Sequence, residues 1–117
     1  MSCNNDYSEL SINLTKKLKN KKEKGIFFTP YRTIDKIIDI LKTHKFKNVL
    51  EPSCGSGQFI ERINESFKDV QITGIELEKE IYDNIHHLQK KNHIINDDYL
   101  KKKITNKYDL IVGNPPF

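Results

Sequence analysis

Asn48-Val49-Leu50-Glu51-Pro52-Ser53-Cys54-Gly55-Ser56-Gly57-Gln58-Phe59 is the stretch on which the fold turns. Its first four residues read as a short strand. Two glycines then make a turn, and Phe59, Ile60, Ile63 and Phe67 follow at helical spacing. The alternation continues downstream. Val70 to Glu76 reads as a second strand, Ile81, Ile85 and Leu88 as a helical stripe, His93 to Asn96 as a third strand and Asp109 to Gly113 as a fourth. Strands and helices alternating at this spacing predict an α/β fold with a parallel sheet and right-handed crossovers. Upstream, Ile34, Ile37, Ile38 and Leu41 give an amphipathic helix running to about Thr43, with Thr29 as its cap and Pro30 in its first position. Leu10, Leu14 and Leu18 predict an earlier helix that Gly25 stops, and residues 1–7 read as unstructured.

Composition narrows the function classes. At 117 residues the chain holds one small domain, and 31% charged residues fit a well-solvated surface. No apolar run approaches the roughly 20 residues of a membrane span, and the N-terminus lacks the basic-then-apolar design of a signal peptide. Cys3 and Cys54 form no CxxC pair and no metal-ligand spacing with a histidine. Free thiols in a reducing, intracellular and cytoplasmic setting, with no metal and no membrane, are expected. His44, His86, His87 and His93 read as surface histidines, and Lys101–Lys103 as a solvated loop. The net charge of +4 is carried almost wholly by lysine and is compatible with a polyanionic partner. Lys16, Lys17, Lys19, Lys21, Lys22 and Lys24 crowd the end of the first helix. They read as a solvated helix terminus, with a phosphate-contacting patch as the alternative.

The strand ends carry the chemistry. Gly55 and Gly57 allow a tight turn and close approach of backbone to a ligand. Glu51 decides which ligand: a carboxylate there repels a pyrophosphate and attracts the ammonium of a methionine moiety. The loop also lacks the third glycine and the Lys-Ser/Thr of phosphate-binding loops. An adenosyl-amino-acid fits better than a dinucleotide. Glu76, ending the second strand 25 positions after Glu51, can accept hydrogen bonds from both ribose hydroxyls, while Glu78 reads as a carboxylate at a helix start. After the third strand, Asp97 and Asp98 both stand where a carboxylate can accept from an adenine amino group. Asp98 is preferred because Tyr99 follows and can cover the ring. Turn chemistry is the other reading of the pair.

The fourth strand ends in Asn114-Pro115-Pro116-Phe117. The prolines stiffen the backbone and fix its carbonyls. The Asn114 side-chain oxygen and the Pro115 carbonyl can both accept from one exocyclic amino group. Two acceptors would draw an amino nitrogen, whose lone pair is delocalised into its ring, toward tetrahedral geometry and turn that lone pair to an electrophile. Phe117 can stack on the base. A proline-rich turn is the bland alternative.

Together these motifs resemble the class I S-adenosylmethionine-dependent DNA adenine N6-methyltransferases, from about Thr15 to Phe117, with Gly25-Ile26-Phe27-Phe28-Thr29-Pro30 matching the upstream motif of that family. The resemblance implies a Rossmann-like sheet of seven strands in order 3-2-1-4-5-7-6, of which this chain supplies 3-2-1-4. It implies S-adenosyl-L-methionine as cofactor, with Thr29 near its methionine portion, and DNA as partner with the target adenine flipped out of the duplex. Residues 1–24 then form a lysine-rich helical segment and 25–117 the N-terminal half of the methyltransferase domain. A target-recognition region and the later motif that supports the flipped base are missing. The isolated chain is therefore expected to be inactive, with a second polypeptide able to supply the missing half. Methylation of protein glutamine or of RNA, and a non-catalytic remnant or split-enzyme half, are the other readings.

Overall fold

The computed structural model describes residues 6–18 and 28–115. Helix α1 spans Glu9–Lys17, α2 Tyr31–Leu41, α3 Gln58–Ser66 and α4 Lys79–Tyr82. The strands are β1 Asn48–Glu51, β2 Gln71–Glu76, β3 His93–Asn96 and β4 Leu110–Ile111. All pair in parallel, in the order β3-β2-β1-β4. The expected half-sheet is therefore present. Its register sets Glu51 beside Gly74 and Glu76 beside Asn96, so both strand-end carboxylates reach the same rim.

One apolar cluster holds the layers together. Ile34 and Ile38 of α2, Phe59, Ile60 and Ile63 of α3, and Ile85 and Leu88 meet Val49, Ile72 and Ile94 of the sheet. Arg62 locks α2 to α3. It pairs with Asp35 and Glu65, each at 3.1 Å, and its guanidinium lies 4.1 Å from the centre of the Tyr31 ring. Among the described residues no helix is long and apolar enough to cross a membrane.

Five local expectations differ from the structure. The first helix, expected to run through Leu18 to a stop at Gly25, ends at Lys17, and Leu18 is already extended. Asp6, in the stretch read as unstructured, pairs with Arg32; residues 1–5 lie outside the described residues. Pro30 rather than Thr29 occupies the N-cap of α2, and no side chain caps it. The helix read through Ile81, Ile85 and Leu88 breaks into α4 and a 3-10 turn at His86–Lys90. Asp83 and Asn84 are poor helix formers, and the Asn84 side chain donates back to the Glu80 carbonyl at 2.7 Å, competing with the backbone. Finally, β4 is two residues long. Val112 N–H still reaches the Leu50 carbonyl, but β1 runs out: Pro52 has no N–H, and that of Ser53 is taken by the Glu51 carboxylate. Asp109, expected in the strand, instead accepts the N–H groups of Lys47 and Asn48 and clips the strand's start to β1. Among the described residues nothing pairs with the outer side of β4, and Ile111 is 59% exposed.

Candidate functional site

The turn after β1 is built around two left-handed glycines, Gly55 at φ 55° and Gly57 at φ 85°. Gly55 donates its N–H to Glu76 Oε1 at 2.9 Å, while the Glu78 N–H donates to Oε2 at 2.7 Å. The carboxylate ending β2 thus ties the glycine turn of β1 to the start of α4, at whose N-cap Glu78 sits. Gly57 faces the other way. A Cβ built on it would lie 2.3 Å from Leu88 Cδ1, so its place is dictated by packing beneath the turn.

Glu51 is 2% exposed and accepts the Ser53 N–H at 2.9 Å. Burial pushes its carboxyl up to about 8, with the nearby Glu76 carboxylate adding to the rise and the Ser53 N–H opposing it. Glu76, 6% exposed, is raised too, by burial, against the N–H groups of Glu78 and Gly55. Burial and these two carboxylates also push the Cys54 thiol up, which makes it a packing residue. Two buried carboxyl groups at one sheet rim, both raised by burial, are driven to ionise by a cation and gain nothing from an anion. That donor set fits the positively charged end of an adenosyl-amino-acid and does not fit a pyrophosphate.

β4 brings the second chemical group to this rim. A Cβ on Gly113 would fall 2.4 Å from Glu51 Oε1, so any larger residue would displace the buried carboxyl that glycine lets the chain pass on its way to Asn114. A small open cleft results, lined by Phe28, Thr29, Glu51, Gly55, Gln58 and Asn114 among others. Asn114 Nδ2 donates to Thr29 Oγ1 at 3.3 Å. Pro115 follows, exposed, while Phe117, the residue expected to stack on the base, lies outside the described residues, as do the lysines from Lys19 to Lys24.

Of the residues singled out from sequence, Thr29, Glu51, Gly55 and Asn114 converge on the cleft. Glu76 stands behind the glycine turn. Asp98 and Tyr99 do not line the cleft. Asp98 Oδ1 accepts the Leu100 N–H at 3.0 Å, and Asp97 Oδ1 accepts that of Asp98 at 2.8 Å, so both carboxylates shape a turn. Tyr99 is exposed.

Sequence reasoning missed a buried polar network under the cleft. Gln58, 3% exposed, accepts from the Ser8 N–H at 2.9 Å and from the Ser11 hydroxyl, and donates to the Thr29 carbonyl. The Ser11 and Ser56 hydroxyls are 2.6 Å apart. These bonds join α1 to the glycine turn and to the residues before α2. Their only trace in the sequence is Ser11, a polar residue that the first helix buries.

Glu51 makes the chain's stability depend on pH. Its neutral form is favoured in the fold, so the stabilisation is complete below about pH 4.5, the ordinary value, and lost progressively until about pH 8. Within that window stability should fall by up to about 1.4 kcal/mol per pH unit, with Glu76 acting in the same direction. Urea midpoints should therefore be lower at pH 8 than at pH 5, and Glu51→Gln should remove most of the difference. A flat profile in the unsubstituted chain would contradict the buried placement of Glu51.

The comparisons with known proteins agree with this architecture. A Clostridium acetobutylicum S-adenosylmethionine-dependent methyltransferase superposes with a TM-score of 0.62 at 21% identity, over 87% of this chain and 43% of that one. The aminopentose methyltransferase CalS10 of Micromonospora echinaspora does so at 0.60 and 15% identity, over 71% and 35%. At such identities the likeness speaks for the fold. Sequence relatives are closer. Type II methyltransferase M.CvrRI of Paramecium bursaria Chlorella virus XZ-6E is 33% identical over 95% of this chain and 30% of its own length. Modification methylase CviBIII of Paramecium bursaria Chlorella virus NC1A is 37% identical over 95% and 31%. The chain thus spans about a third of the length of these curated relatives. The family profile described as N-6 DNA Methylase matches residues 13–117, from within α1 through the whole sheet to the Asn-Pro-Pro-Phe end. With that span, and with the glycine turn, Glu51 and Asn114 on one rim, the chain belongs to the N-6 DNA methylase family.

Proposed function

We propose that this chain forms the cofactor-binding and amino-group-binding part of an S-adenosylmethionine-dependent DNA adenine N6-methyltransferase. The observation that carries the reading is the meeting of Glu51 and Asn114 in one cleft, a buried carboxyl at the end of β1 and an amide just beyond its neighbour β4. When bound, S-adenosyl-L-methionine supplies an electrophilic methyl group on a sulfonium. Glu51 takes its cationic amino-acid end, Glu76 its ribose hydroxyls, and Asp98 and Tyr99 its adenine. Gly55 gives the turn its close approach, and Gly57 supports the turn from behind.

Asn114 Oδ1 and the Pro115 carbonyl accept both protons of the target amino group. They hold its nitrogen pyramidal, with the lone pair toward the methyl group. Phe117 stacks on the flipped base. DNA is the partner favoured by the family and by the net charge of +4. Catalysis takes place inside the cell with the rest of the sheet in place, either in the same polypeptide or in a second one pairing with the outer side of β4.

The test follows a labelled methyl group from S-adenosylmethionine to duplex DNA, single-stranded DNA, RNA and a release-factor protein. The assays use this chain alone and this chain with the strands that complete its sheet. Transfer to adenine in DNA by the completed sheet is expected. Transfer to RNA or protein in its place would move the reading to another amino-group methyltransferase, and none to any acceptor would point to a non-catalytic remnant.

A further inference from the structure

Resting on that reading of Asn114, we propose that Thr29 is a positioning residue whose hydroxyl anchors the Asn114 amide beside the cleft, and that Gln58 holds Thr29 in place to do so. An asparagine amide has a donor end and an acceptor end. A target amino group donates, so it needs Oδ1. An Asn114 that presented its NH2 would set donor against donor. Rotation about the last side-chain bond of asparagine is soft, and Asn114 is exposed. The amide therefore has to be held from outside.

Thr29 anchors it. A threonine hydroxyl can give or take a hydrogen bond, and here its Oγ1 accepts from Asn114 Nδ2 at 3.3 Å, at the edge of the cleft that both residues line. Thr29 is itself held through its backbone. Its carbonyl accepts from Gln58 Nε2, and the buried Gln58 is fixed at its other end by the Ser8 N–H and the Ser11 hydroxyl. Ser11 in turn meets Ser56 inside the glycine turn. A continuous set of hydrogen bonds thus runs from the glycine turn through Gln58 and Thr29 to Asn114. The same turn that shapes the cofactor end of the cleft also sets the amide at the substrate end. This differs from a direct contact between Thr29 and the cofactor, which is what the family resemblance implies.

Two substitutions separate these roles. Thr29→Val keeps the branched shape and loses the hydroxyl, whereas Thr29→Ser keeps the hydroxyl. In the 117-residue chain labelled with 15N-asparagine, one Asn114 side-chain amide proton should be shifted downfield with a small temperature coefficient. Thr29→Ser should preserve that signature and Thr29→Val should abolish it, with the remaining backbone spectrum unchanged in both. In the enzyme with its sheet completed, Thr29→Val should lower kcat for methyl transfer roughly ten-fold, the size of one lost hydrogen bond. The affinity for S-adenosylmethionine should stay at the unsubstituted level, and Thr29→Ser should recover most of the rate. Asn114 amide resonances that ignore Thr29→Val would overturn the proposal, as would weakened cofactor binding with kcat intact. If the unsubstituted enzyme methylates no adenine while the amide signature still depends on the hydroxyl, the proposed function fails and the anchoring contact stands.

Discussion

Replacing Asn114 with alanine in the enzyme with its sheet completed should cut kcat for methyl transfer by about 10²–10³-fold, the range for removing one preorganised group aimed at the transition state. Affinity for S-adenosylmethionine should remain close to that of the unsubstituted enzyme. The separation follows from the site's geometry. Glu51 enters the cleft from the end of β1 and Glu76, ending β2, backs the glycine turn, whereas Asn114 arrives from β4, past Gly113, and is bonded to Thr29 rather than to either carboxylate. Removing its amide leaves both carboxylates and the glycine turn untouched. On the proposed function, what is lost is an acceptor for an amino group whose lone pair is otherwise delocalised, so the penalty should fall on the chemical step. Single-turnover rates and calorimetric affinities measured side by side check this. Similar turnover in the alanine variant would remove Asn114 from the reaction.

Gly57→Ala should destabilise the chain by about 2–5 kcal/mol, combining a left-handed non-glycine residue with an overpacked core. Both costs are visible at the position. Gly57 sits at φ 85°, and a Cβ there would lie 2.3 Å from Leu88 Cδ1. Leu88 cannot step aside freely, because it is buried in the cluster shared with Phe59, Ile60 and Ile63. Against the roughly 5–15 kcal/mol that holds a typical domain folded, such a loss should markedly lower the urea midpoint at unchanged slope. Because the clash involves one partner, Leu88→Ala combined with Gly57→Ala should cost less than the sum of the two single substitutions. Additive costs, or an alanine variant as stable as the parent, would mean that the turn is not held against Leu88.

Much of the site is legible in consecutive residues. In a parallel sheet the carboxyl ends of the strands gather on one rim, so locating strand ends in the sequence locates the site. Glu51, Glu76 and Asn114 stand at such ends. The adenine end is less legible: Asp97 and Asp98 each satisfy a local N–H, and a turn and a ligand contact ask for the same residue type. The cap of α2 departs from expectation for a related reason. Thr29 is a good capping residue by type, but its hydroxyl is engaged by an asparagine far along the chain.

By itself the sequence determined the alternation of strands and helices, the polarity of the rim and the family resemblance. Hydrophobic periodicity, glycine pairs and strand-end carboxylates are local patterns, and local patterns are written in consecutive residues. Tertiary structure alone decided which distant residues touch. Gln58 meets Ser8 and Ser11 across 50 and 47 positions, and Thr29 meets Asn114 across 85. Gly57 is required by Leu88, and Gly113 by Glu51. Each of these pairings depends on how α1, the glycine turn and β4 settle against one another once the apolar cluster closes. Side-chain hydrogen bonds and steric exclusion act over a few ångströms of space, and no spacing along the chain encodes them.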